Sequence, residues 1–479
     1  MVKIINKNLS MLCDYYEFIM SNGYFKNNNI NQIGYFDLFF RKIPDGGGFA
    51  IAAGLQQAIE FIEDFKFSDE DIEFLRNNGS FDDGFLDYLK SFKFECDLYS
   101  VPEGTPIFPN EPILTVKGPV IQAQLLETML LLTINHQSLI ATKANRVVRS
   151  AQGRPVIEFG ARRAQGPDAA VLGARAAYIG GCSATSNILS GQLYDIPLSG
   201  TMAHSWVQLF DDELTAFCEF AKLYPDKCVL LVDTYDTLKL GVPNAIKAFN
   251  EIVIPSGNRP LAIRIDSGDI TYLSVKARQL LDAAGFCDCK ILASNSLDEN
   301  LIKATLDQGA RVDMFGVGER LITSKSDSVF GGVYKLTAIE KDGAIIPKIK
   351  ISENVAKITT PHFKKVFRLY GRETNKALAD LVCVHDEKIN DKIPIEIFDS
   401  DYIWKRKTFE SFYAKELLVK IYDKGKLIYD IPTVNESREY CLSEISKLWD
   451  ELLRFDNPHK YYVDLSKKLW EIKQKELMR

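Results

Sequence analysis

The most constraining feature of this sequence is a repeated pattern between residues 155 and 320. Short apolar runs end in small or charged residues, and segments of helical periodicity lie between them, as at 272–284 and 298–309. Strands that alternate with helices are typical of parallel βαβ units. The apolar runs occupy residues 156–159, 196–198, 229–232, 261–265, 291–293 and 312–315. The pattern therefore predicts a parallel α/β architecture.

A dinucleotide-binding motif does not accompany these units, because the nearest match to G-x-G-x-x-G, at 316–321, lacks its third glycine. This favours a (β/α) barrel or partial barrel over a Rossmann sheet. Residues 1–120 combine short elements with turns rich in glycine and proline, and a long helix is predicted at 120–150. After residue 340 the sequence becomes rich in lysine and tyrosine and ends in charged helical segments predicted at 443–455 and 465–476.

Charge and cysteine content exclude several classes of protein. With 58 lysines and arginines against 64 aspartates and glutamates, the net charge is −6, which argues against a protein that binds nucleic acid. Residues 1–8 lack the apolar core of a signal peptide, and the most apolar stretch, 125–134, is far shorter than the roughly 20 residues that span a bilayer. The nine cysteines form no C-x-x-C pair. We therefore expect a cytoplasmic protein with reduced thiols, no structural zinc and no membrane association.

A polar cluster follows each of the six predicted strands. In a barrel the carboxyl ends of the strands form one mouth, so these clusters are expected to converge. Together they supply arginines, a histidine, carboxylates and glycine-flanked amides, which suit a phosphorylated, metal-associated substrate. In chain order the clusters contain Arg162 and Arg163, Thr201 with His204 and Ser205, Asp233, Arg264 with Asp266 and Asp269, Ser294 with Asn295, and Gly316 with Gly318.

Each of these clusters also has a purely structural interpretation. Arg162 and Arg163 would suit surface ion pairs, and the two aspartates of 266–269 would suit a turn and a helix cap. Gly316 and Gly318 would suit a tight turn without a ligand. If they are functional, their amides and the helix start that follows would bind phosphate.

His204 stands apart among the five histidines because it lies at a predicted strand-to-helix turn that faces the mouth. The other four lie outside any strand-end cluster and are interpreted as structural; they are His136, His362, His385 and His459. A hydrogen-bonded core position is the structural alternative for His204 as well. Since a neutral imidazole nitrogen can attack a phosphoryl group, a transiently phosphorylated histidine is the functional alternative.

Several segments, by their order and spacing, resemble the nicotinate phosphoribosyltransferase family. They read EFGARRAQGPD at 158–168, GTMAHSW at 200–206, IRIDSGD at 263–269, DYY at 14–16 and FGVG at 315–318, with further similarity at 101–146 and 457–459. The resemblance implies a type II phosphoribosyltransferase fold: an N-terminal α/β domain at 1–125 beside an irregular, partly open (β/α) barrel at 126–345. Residues 346–479 would form a C-terminal extension and lid, part of it packed on the N-terminal domain.

The family makes nicotinate mononucleotide and pyrophosphate from nicotinate and phosphoribosyl pyrophosphate, in the salvage route to NAD. The resemblance therefore implies this reaction, coupled as in an ATP-dependent ligase to ATP as co-substrate through a phosphohistidine at His204. It also implies Mg²⁺ and a homodimer with shared active sites. By position, the catalytic residues would be His204, Asp266 and Arg264.

The resemblance also assigns substrate contacts residue by residue. Phe159 would stack on one face of the pyridine ring, and Tyr16 of the partner subunit would cover the other. The nicotinate carboxylate and the substrate phosphates would be bound by Arg162, Thr201, Ser205 and Arg264. The ribose hydroxyls and the Mg²⁺ of pyrophosphate would face Asp233 and Asp266. The 5′-phosphate and ribose would be held by Ser294, Asn295, Gly316 and Gly318.

Three features depart from the family pattern. Glu319 lies where a small hydroxyl residue is expected, and a carboxylate there is unfavourable beside phosphate unless it points away or pairs with Arg320. Cys287 and Cys289 do not supply the zinc cluster of some relatives. Residues 370–450 resemble the family only loosely.

Three other functions are alternatives to the one that the resemblance implies. A nicotinamide-using relative needs a carboxylate to accept from the amide, and residues 185–191 contain no acidic side chain, so nicotinate is favoured. A quinolinate phosphoribosyltransferase is a much shorter chain. Outside the enzymes, a silent paralogue that binds nucleotides as a regulator or scaffold would not need a phosphoryl acceptor such as His204.

Overall fold

The computed structural model describes residues 8–479. The chain folds as two compact units. Unit 1 combines Met1–Thr142 with Val329–Arg479, and unit 2 is Lys143–Ser328. The stretch on which the signal-peptide expectation rests, residues 1–8, lies almost entirely outside the described residues, as does the start of the expected 1–125 domain. The three expected domain boundaries stay a prediction.

From residue 8 to residue 150, the structure describes short strands and six α-helices. The helices are α1 (Tyr15–Lys26), α2 (Leu55–Glu63), α3 (Asp69–Asn78), α4 (Asp83–Lys90), α5 (Val120–Gln124) and α6 (Glu127–Ser150). The strands are β1 (Ile33–Phe39), β2 (Ala50–Ile51), β3 (Asp97–Ser100), β4 (Pro106–Ile107) and β5 (Leu114–Pro119). The single helix predicted at 120–150 is therefore two helices, and the break falls at Leu125 and Leu126. Both leucines are buried, so core packing overrides the helical periodicity at this point.

Unit 2 alternates strands with helices. Its strands are β6 (Val156–Glu158), β7 (Ala184–Thr185), β8 (Val229–Leu231), β9 (Ala262–Ile265), β10 (Lys290–Ala293) and β11 (Met314–Val317). Its helices are α7 (Pro167–Ile179), α8 (Ile188–Tyr194), α9 (His204–Gln208), α10 (Glu213–Leu223), α11 (Val242–Ala248), α12 (Ile270–Ala283), α13 (Glu299–Asp307) and α14 (Glu319–Ile322). The helices predicted at 272–284 and 298–309 are confirmed as α12 and α13, each capped at its start by an aspartate, Asp269 and Asp298.

The six strands of unit 2 form one parallel sheet in the order β7-β6-β11-β10-β9-β8. The first and last strands along the chain, β6 and β11, are neighbours in this order, and Gly316 pairs with Ile157 between them. Pairing of the first strand with the last closes a barrel, whereas the order begins at β7 and ends at β8, so the barrel is open between these two strands. The predicted irregular, partly open barrel is confirmed.

The core of unit 2 explains why this sheet holds together. Apolar strand residues such as Leu230, Ile263 and Ile291 are fully buried against Phe217 and Phe249 of the surrounding helical segments. Strands covered on both faces read as continuous apolar runs, which is the pattern that predicted them.

One predicted strand is wrong. Residues 196–198 form no strand in the described structure; only Leu198 makes an isolated parallel bridge, to Thr185. Pro197 has no N–H to donate to a ladder, and Leu198 is 55% exposed, so this run cannot take a central position. The buried pair Ala184 and Thr185 forms the second strand instead, and the 196–198 run becomes part of the long segment that crosses the opening of the barrel.

The remaining elements of unit 1 follow residue 329. The strands are β12 (Val333–Lys341), β13 (Ala344–Pro347), β14 (Lys364–Gly371), β15 (Ala377–Val384), β16 (Ile395–Phe398), β17 (Arg406–Phe409), β18 (Phe412–Glu416), β19 (Val419–Asp423), β20 (Lys426–Leu427) and β21 (Val463–Leu465). The helices are α15 (Val434–Ser446) and α16 (Lys467–Leu477).

Unit 1 joins both ends of the chain in one sheet. Its seven antiparallel strands follow the order β13-β12-β1-β5-β3-β19-β20, in which the inner strand β1 pairs with β12 on one side and β5 on the other. A four-stranded sheet has the order β18-β14-β15-β21. Because β19 and β20 lie within the C-terminal extension at 346–479 and β19 pairs with β3, the predicted packing of that extension on the N-terminal domain is confirmed.

The charged tail is helical at shifted positions. The segment predicted at 443–455 is wrong, because α15 ends at Ser446 and begins at Val434 after a capping box between Thr433 and Glu436. The segment predicted at 465–476 is confirmed within two residues as α16, capped by Ser466. Within residues 8–479, none of the helices has both the length and the apolar character needed to cross a membrane.

Candidate active site

The candidate active site lies at the carboxyl ends of the parallel strands of unit 2. Parallel strands end along the same edge, so the residues directly after β6, β8, β9 and β10 come together there. Segment 199–205 belongs to the stretch between β7 and β8, where the barrel is open, and it reaches the same edge. Side chains far apart in the sequence therefore share one network.

Arg264 lies at the centre of this network. Its Nε donates to the hydroxyl of Ser294 at 2.9 Å, its Nη1 to the hydroxyl of Thr201 at 3.0 Å, and its Nη2 to Oδ1 of Asp266 at 2.7 Å. The Ser294 hydroxyl also donates to Oδ1 of Asp266. With its side chain only 13% exposed, the guanidinium is fixed at once by the ends of β9 and β10 and by the segment between β7 and β8.

Two aspartates form the acidic part of the site. Oδ2 of Asp233 accepts from the backbone N–H of Asp266 at 3.0 Å and from the hydroxyl of Ser267 at 2.5 Å. Oδ1 of Asp233 is buried without a hydrogen-bond partner among the described residues. An orphaned carboxylate oxygen of this kind needs a partner from outside the chain.

His204 begins the short helix α9 and faces the same carboxylate. Its Nδ1 lies 3.1 Å from the hydroxyl oxygen of Thr234, and its Nε2 lies 3.9 Å from Oδ2 of Asp266. The side chain is 40% exposed, so a ligand can reach it. His204 and Arg264 therefore approach Asp266 together, as a single site requires.

The aromatic part of the site is Phe159, directly after β6. The guanidinium carbon of Arg264 lies 5.5 Å from the centroid of its ring. On the neighbouring strand, a Cβ atom at Gly316 would lie 2.6 Å from two ring carbons of Phe159, and a Cβ at Gly318 would lie 2.9 Å from its carbonyl oxygen. The glycines thus leave room for Phe159. Gly316 is a buried residue of β11 that pairs with β6. Its closeness to the ring indicates that its role is to make room for Phe159, and this is favoured over the predicted role of binding phosphate.

The loop after β10 has an unusual backbone. Asn295 and Ser296 are consecutive and both have positive φ, +94° and +43°. Non-glycine residues in this region are uncommon and cluster at binding sites, where the surrounding structure holds them. Ser294, just before them, is the residue bound to Arg264, so the strained loop is continuous with the network.

Three predicted site residues lie outside the hydrogen-bond network, the aromatic part and the loop after β10. Arg162 is exposed, on the short turn Ala161–Arg163 after β6. Ser205 is exposed beside His204. Tyr16 belongs to α1 of unit 1, and the residue is 45% exposed.

Glu319 has a partner other than the one considered from the sequence. Its carboxylate pairs with Lys325 at 2.8 Å, which lowers its pKa, whereas Arg320 pairs with Asp298. Of the two alternatives considered for Glu319, pairing with Arg320 does not occur, because that guanidinium binds Asp298, the cap of α13. Glu319 is neutralised by a surface lysine.

Sequence reasoning did not single out three polar residues of the site. Thr234 contacts the His204 ring, and Ser267 binds Asp233. Glu158 is fully buried, accepts from the hydroxyl of Thr185 at 2.7 Å and from the N–H of Gly160, and its pKa is raised by burial. A signal existed for each, since Thr234 and Ser267 directly follow selected aspartates and Glu158 is the acid that ends an apolar strand.

The donor set can be tested for a divalent cation. Within residues 8–479, no three or more His, Cys, Asp or Glu side chains are grouped so that they could hold a metal ion. Mg²⁺, however, usually keeps several waters and takes only one or two carboxylates together with substrate phosphates. The free Oδ1 of Asp233 and the neighbouring Asp266 fit that mode of binding.

Comparisons with known proteins agree with one another along the whole chain. Three family models match it: the nicotinate phosphoribosyltransferase N-terminal domain at residues 11–135, the family itself at 155–383 and the C-terminal domain at 363–473. The nicotinate phosphoribosyltransferase of Bacillus subtilis (strain 168) is 44% identical over 472 residues, which are 98% of this chain and 95% of that protein.

Solved structures extend this similarity to the fold. The crystal structure of human nicotinic acid phosphoribosyltransferase superimposes with a TM-score of 0.84 at 29% identity, over 96% of this chain and 99% of that chain. The nicotinate-nucleotide pyrophosphorylase of Pyrococcus furiosus has a TM-score of 0.72 at 22% identity, over 93% of this chain and 98% of that chain. The second similarity concerns the fold alone.

Proposed function

The chain belongs to the nicotinate phosphoribosyltransferase family, and we propose that it converts nicotinate and phosphoribosyl pyrophosphate into nicotinate mononucleotide and pyrophosphate for NAD salvage. The observation that carries this proposal is the network in which Arg264 binds Thr201, Asp266 and Ser294 beside the Phe159 ring. A cation, a carboxylate and an aromatic face in one place match a substrate pair of an aromatic acid and a phosphorylated sugar.

The base is assigned to the Phe159 side of the site. A pyridine ring would stack on Phe159, whose position depends on the missing side chain of Gly316. Arg264, over the same ring, supplies positive charge to the base carboxylate or to a substrate phosphate, and Arg162, Thr201 and Ser205 would add to it. Since residues 185–191 offer no carboxylate to accept from an amide, nicotinate fits better than nicotinamide.

The sugar and pyrophosphate are assigned to the Asp266 side. Breaking the bond at the ribose C1 builds positive charge on the sugar and negative charge on the leaving pyrophosphate, so a nearby carboxylate such as Asp266 stabilises the oxocarbenium-like transition state. Asp233 and Asp266 would hold Mg²⁺, which when bound offsets charge on pyrophosphate. Ser294, Asn295 and Gly318 would contact the ribose and its 5′-phosphate.

His204 is proposed to couple the reaction to ATP. An imidazole nitrogen of His204 attacks the γ-phosphorus of ATP, the bond to the bridging oxygen breaks, and ADP leaves with the electron pair. Hydrolysis of the phosphohistidine later returns free histidine and phosphate. The exposure of His204 and its position next to Asp266 support this role, because a change of charge on the ring acts directly on the carboxylate that faces the sugar.

The active unit is proposed to be a homodimer that shares its sites. Four large exposed side chains on helix α1 and one just before it are apolar or aromatic, each at least 39% exposed: Tyr15, Tyr16, Ile19 and Met20, preceded by Leu12. An apolar patch of this kind is typical of a surface covered by another chain. Tyr16 of the partner subunit would then cover the free face of the base.

The test of the function measures product with nicotinate or nicotinamide at equal concentration, together with phosphoribosyl pyrophosphate. We expect nicotinate mononucleotide as the main product, and a clear preference for nicotinamide would contradict the assignment. Incubation with γ-labelled ATP should leave an acid-labile, base-stable label on the parent protein and on a His459→Gln control, but not on His204→Ala. An unlabelled parent would contradict the ATP coupling alone.

A further inference from the structure

The two ring nitrogens of His204 have different surroundings. Nδ1 lies 3.1 Å from the hydroxyl oxygen of Thr234, within hydrogen-bond distance. Nε2 lies 3.9 Å from Oδ2 of Asp266, which is too far for a direct hydrogen bond. The ring is therefore held through Nδ1, and Nε2, which faces the Asp266 carboxylate across the mouth, has no hydrogen-bond partner among the described residues.

We propose that Thr234 is a positioning residue for His204: it accepts the proton of Nδ1, fixes the tautomer and leaves the lone pair of Nε2 to attack the phosphoryl group. The proposal rests on the phosphohistidine function proposed above. A threonine hydroxyl can donate or accept. The proposal assigns it the acceptor role at Nδ1, which puts the ring proton there and leaves the lone pair on Nε2, the nitrogen that faces the mouth. Thr234 itself does not touch the substrate.

With the tautomer that Thr234 holds, the phosphoryl transfer requires no proton transfer. A neutral ring with Nδ1–H attacks phosphorus through Nε2, and the bond from phosphorus to the bridging oxygen of ADP breaks. The product keeps its Nδ1 proton, which the Thr234 oxygen continues to accept while the ring carries positive charge. No proton has to leave or enter the site during this step, and ADP carries away the electron pair.

The geometry around Thr234 supports this assignment. Thr234 follows Asp233, whose Oδ2 is bound by the backbone of Asp266 and the hydroxyl of Ser267, so the backbone that presents the hydroxyl is tied to the end of β9. Asp266 is in turn bound to Arg264. The hydroxyl at 234 and the carboxylate at 266 are thereby held on either side of the same imidazole.

The test compares Thr234→Val, which has the same shape without the hydroxyl, with Thr234→Ser, which restores it. With γ-labelled ATP, we expect Thr234→Val to slow labelling of the protein by about ten-fold or more, and Thr234→Ser to stay within about three-fold of the parent. Thr215→Val, which removes an exposed hydroxyl bound to Asp212, is the matched control. Labelling of Thr234→Val at the parent rate would overturn the proposal.

Two spectroscopic measurements separate positioning from general structure. Phosphorus NMR of the protein phosphorylated with unlabelled ATP should assign the phosphoryl group to Nε2, and attachment to Nδ1 would overturn the proposal. Nitrogen NMR of the imidazoles, recorded at about pH 9 where imidazoles are neutral and assigned with His204→Gln, should show protonated Nδ1 in the parent. Thr234→Val should shift the proton towards Nε2, and an unchanged tautomer would overturn the positioning role.

The same measurements distinguish this proposal from the function on which it rests. If the parent is never labelled, the phosphohistidine function fails, and the nitrogen NMR still decides whether Thr234 sets the tautomer. If the parent is labelled and the His204 tautomer is the same in the parent and in Thr234→Val, only the positioning role fails.

Discussion

The guanidinium of Arg264 lies over the ring of Phe159, 5.5 Å from its centroid, although two strands separate β9 from β6 in the sheet. A contact that passes over two intervening strands requires the sheet to curve around a common opening. The relationship therefore joins the aromatic and the acidic parts of the site across the mouth of the barrel, because Arg264 also binds Asp266.

The first prediction concerns Arg264. Arg264→Ala should lower kcat/KM by at least about a hundred-fold, because it removes a preorganised charge and frees Thr201, Asp266 and Ser294 from their common partner. Arg163→Ala, at an exposed position next to Arg162, should stay within about three-fold of the parent. Steady-state kinetics with both substrates measure this, and equal losses in the two variants would contradict the ranking.

The second prediction concerns Gly316. In Gly316→Ala the new methyl group would meet the Phe159 ring at 2.6 Å, so the ring must move. We expect KM for nicotinate to rise about ten-fold or more while KM for phosphoribosyl pyrophosphate changes by less than about three-fold. Gly23→Ala, where the added atom meets nothing within 4 Å, is the control. If only the KM for the sugar substrate rose, the predicted phosphate contact would be the better interpretation of Gly316.

The third prediction tests the shared site. Tyr16→Ala and His204→Ala should each be nearly inactive, but subunit exchange between them should restore activity towards about a quarter of the parent, since a mixed dimer contains one intact site. Activity measured before and after exchange gives the result. A mixture as inactive as its components would show that each subunit uses its own Tyr16.

The fourth prediction concerns the pH dependence of stability. Burial, followed by the neighbouring Asp399, raises the pKa of Asp464 on β21 to about 7. An aspartate in the unfolded chain has a pKa of about 4, so between about pH 4 and 7 the folded state keeps a proton that the unfolded state has lost, and stability falls as pH rises.

Asp464→Asn should remove this part of the pH dependence. We expect the variant to be more stable than the parent by about 2 kcal/mol at pH 8, and close to the parent at pH 4, as followed by Tm across that range. The exposed Asp430→Asn is the control. A parent and variant with parallel curves of Tm against pH would contradict the assignment.

Much of the site could be predicted because the signals are local. A short apolar run followed by small or charged residues marks a strand end, and the carboxyl ends of parallel strands meet at one edge. That reasoning placed His204, Asp233, Arg264, Asp266 and Ser294 together, and the family pattern added the role of Phe159. The described structure brings these six residues into one site.

The misses share one physical cause. Hydrophobicity alone does not distinguish the run with Pro197 and the exposed Leu198 from a buried strand. The helix break at Leu125 contains no proline or glycine that would have predicted it. Glu319 pairs with Lys325 and not with Arg320, because Arg320 pairs with Asp298. Each outcome depends on which other part of the chain competes for the same space or the same charge.

The order of apolar runs and polar clusters determined by itself a parallel, barrel-like fold with its polar clusters at one edge, because periodicity and turn chemistry act over a few neighbouring residues. Only the tertiary structure decided that the barrel opens between β7 and β8, that Thr234 meets the His204 ring, and that Gly316 makes room for Phe159. These contacts join residues 30 or more positions apart, or strands that close the barrel, and packing sets such distances only when the whole sheet has formed.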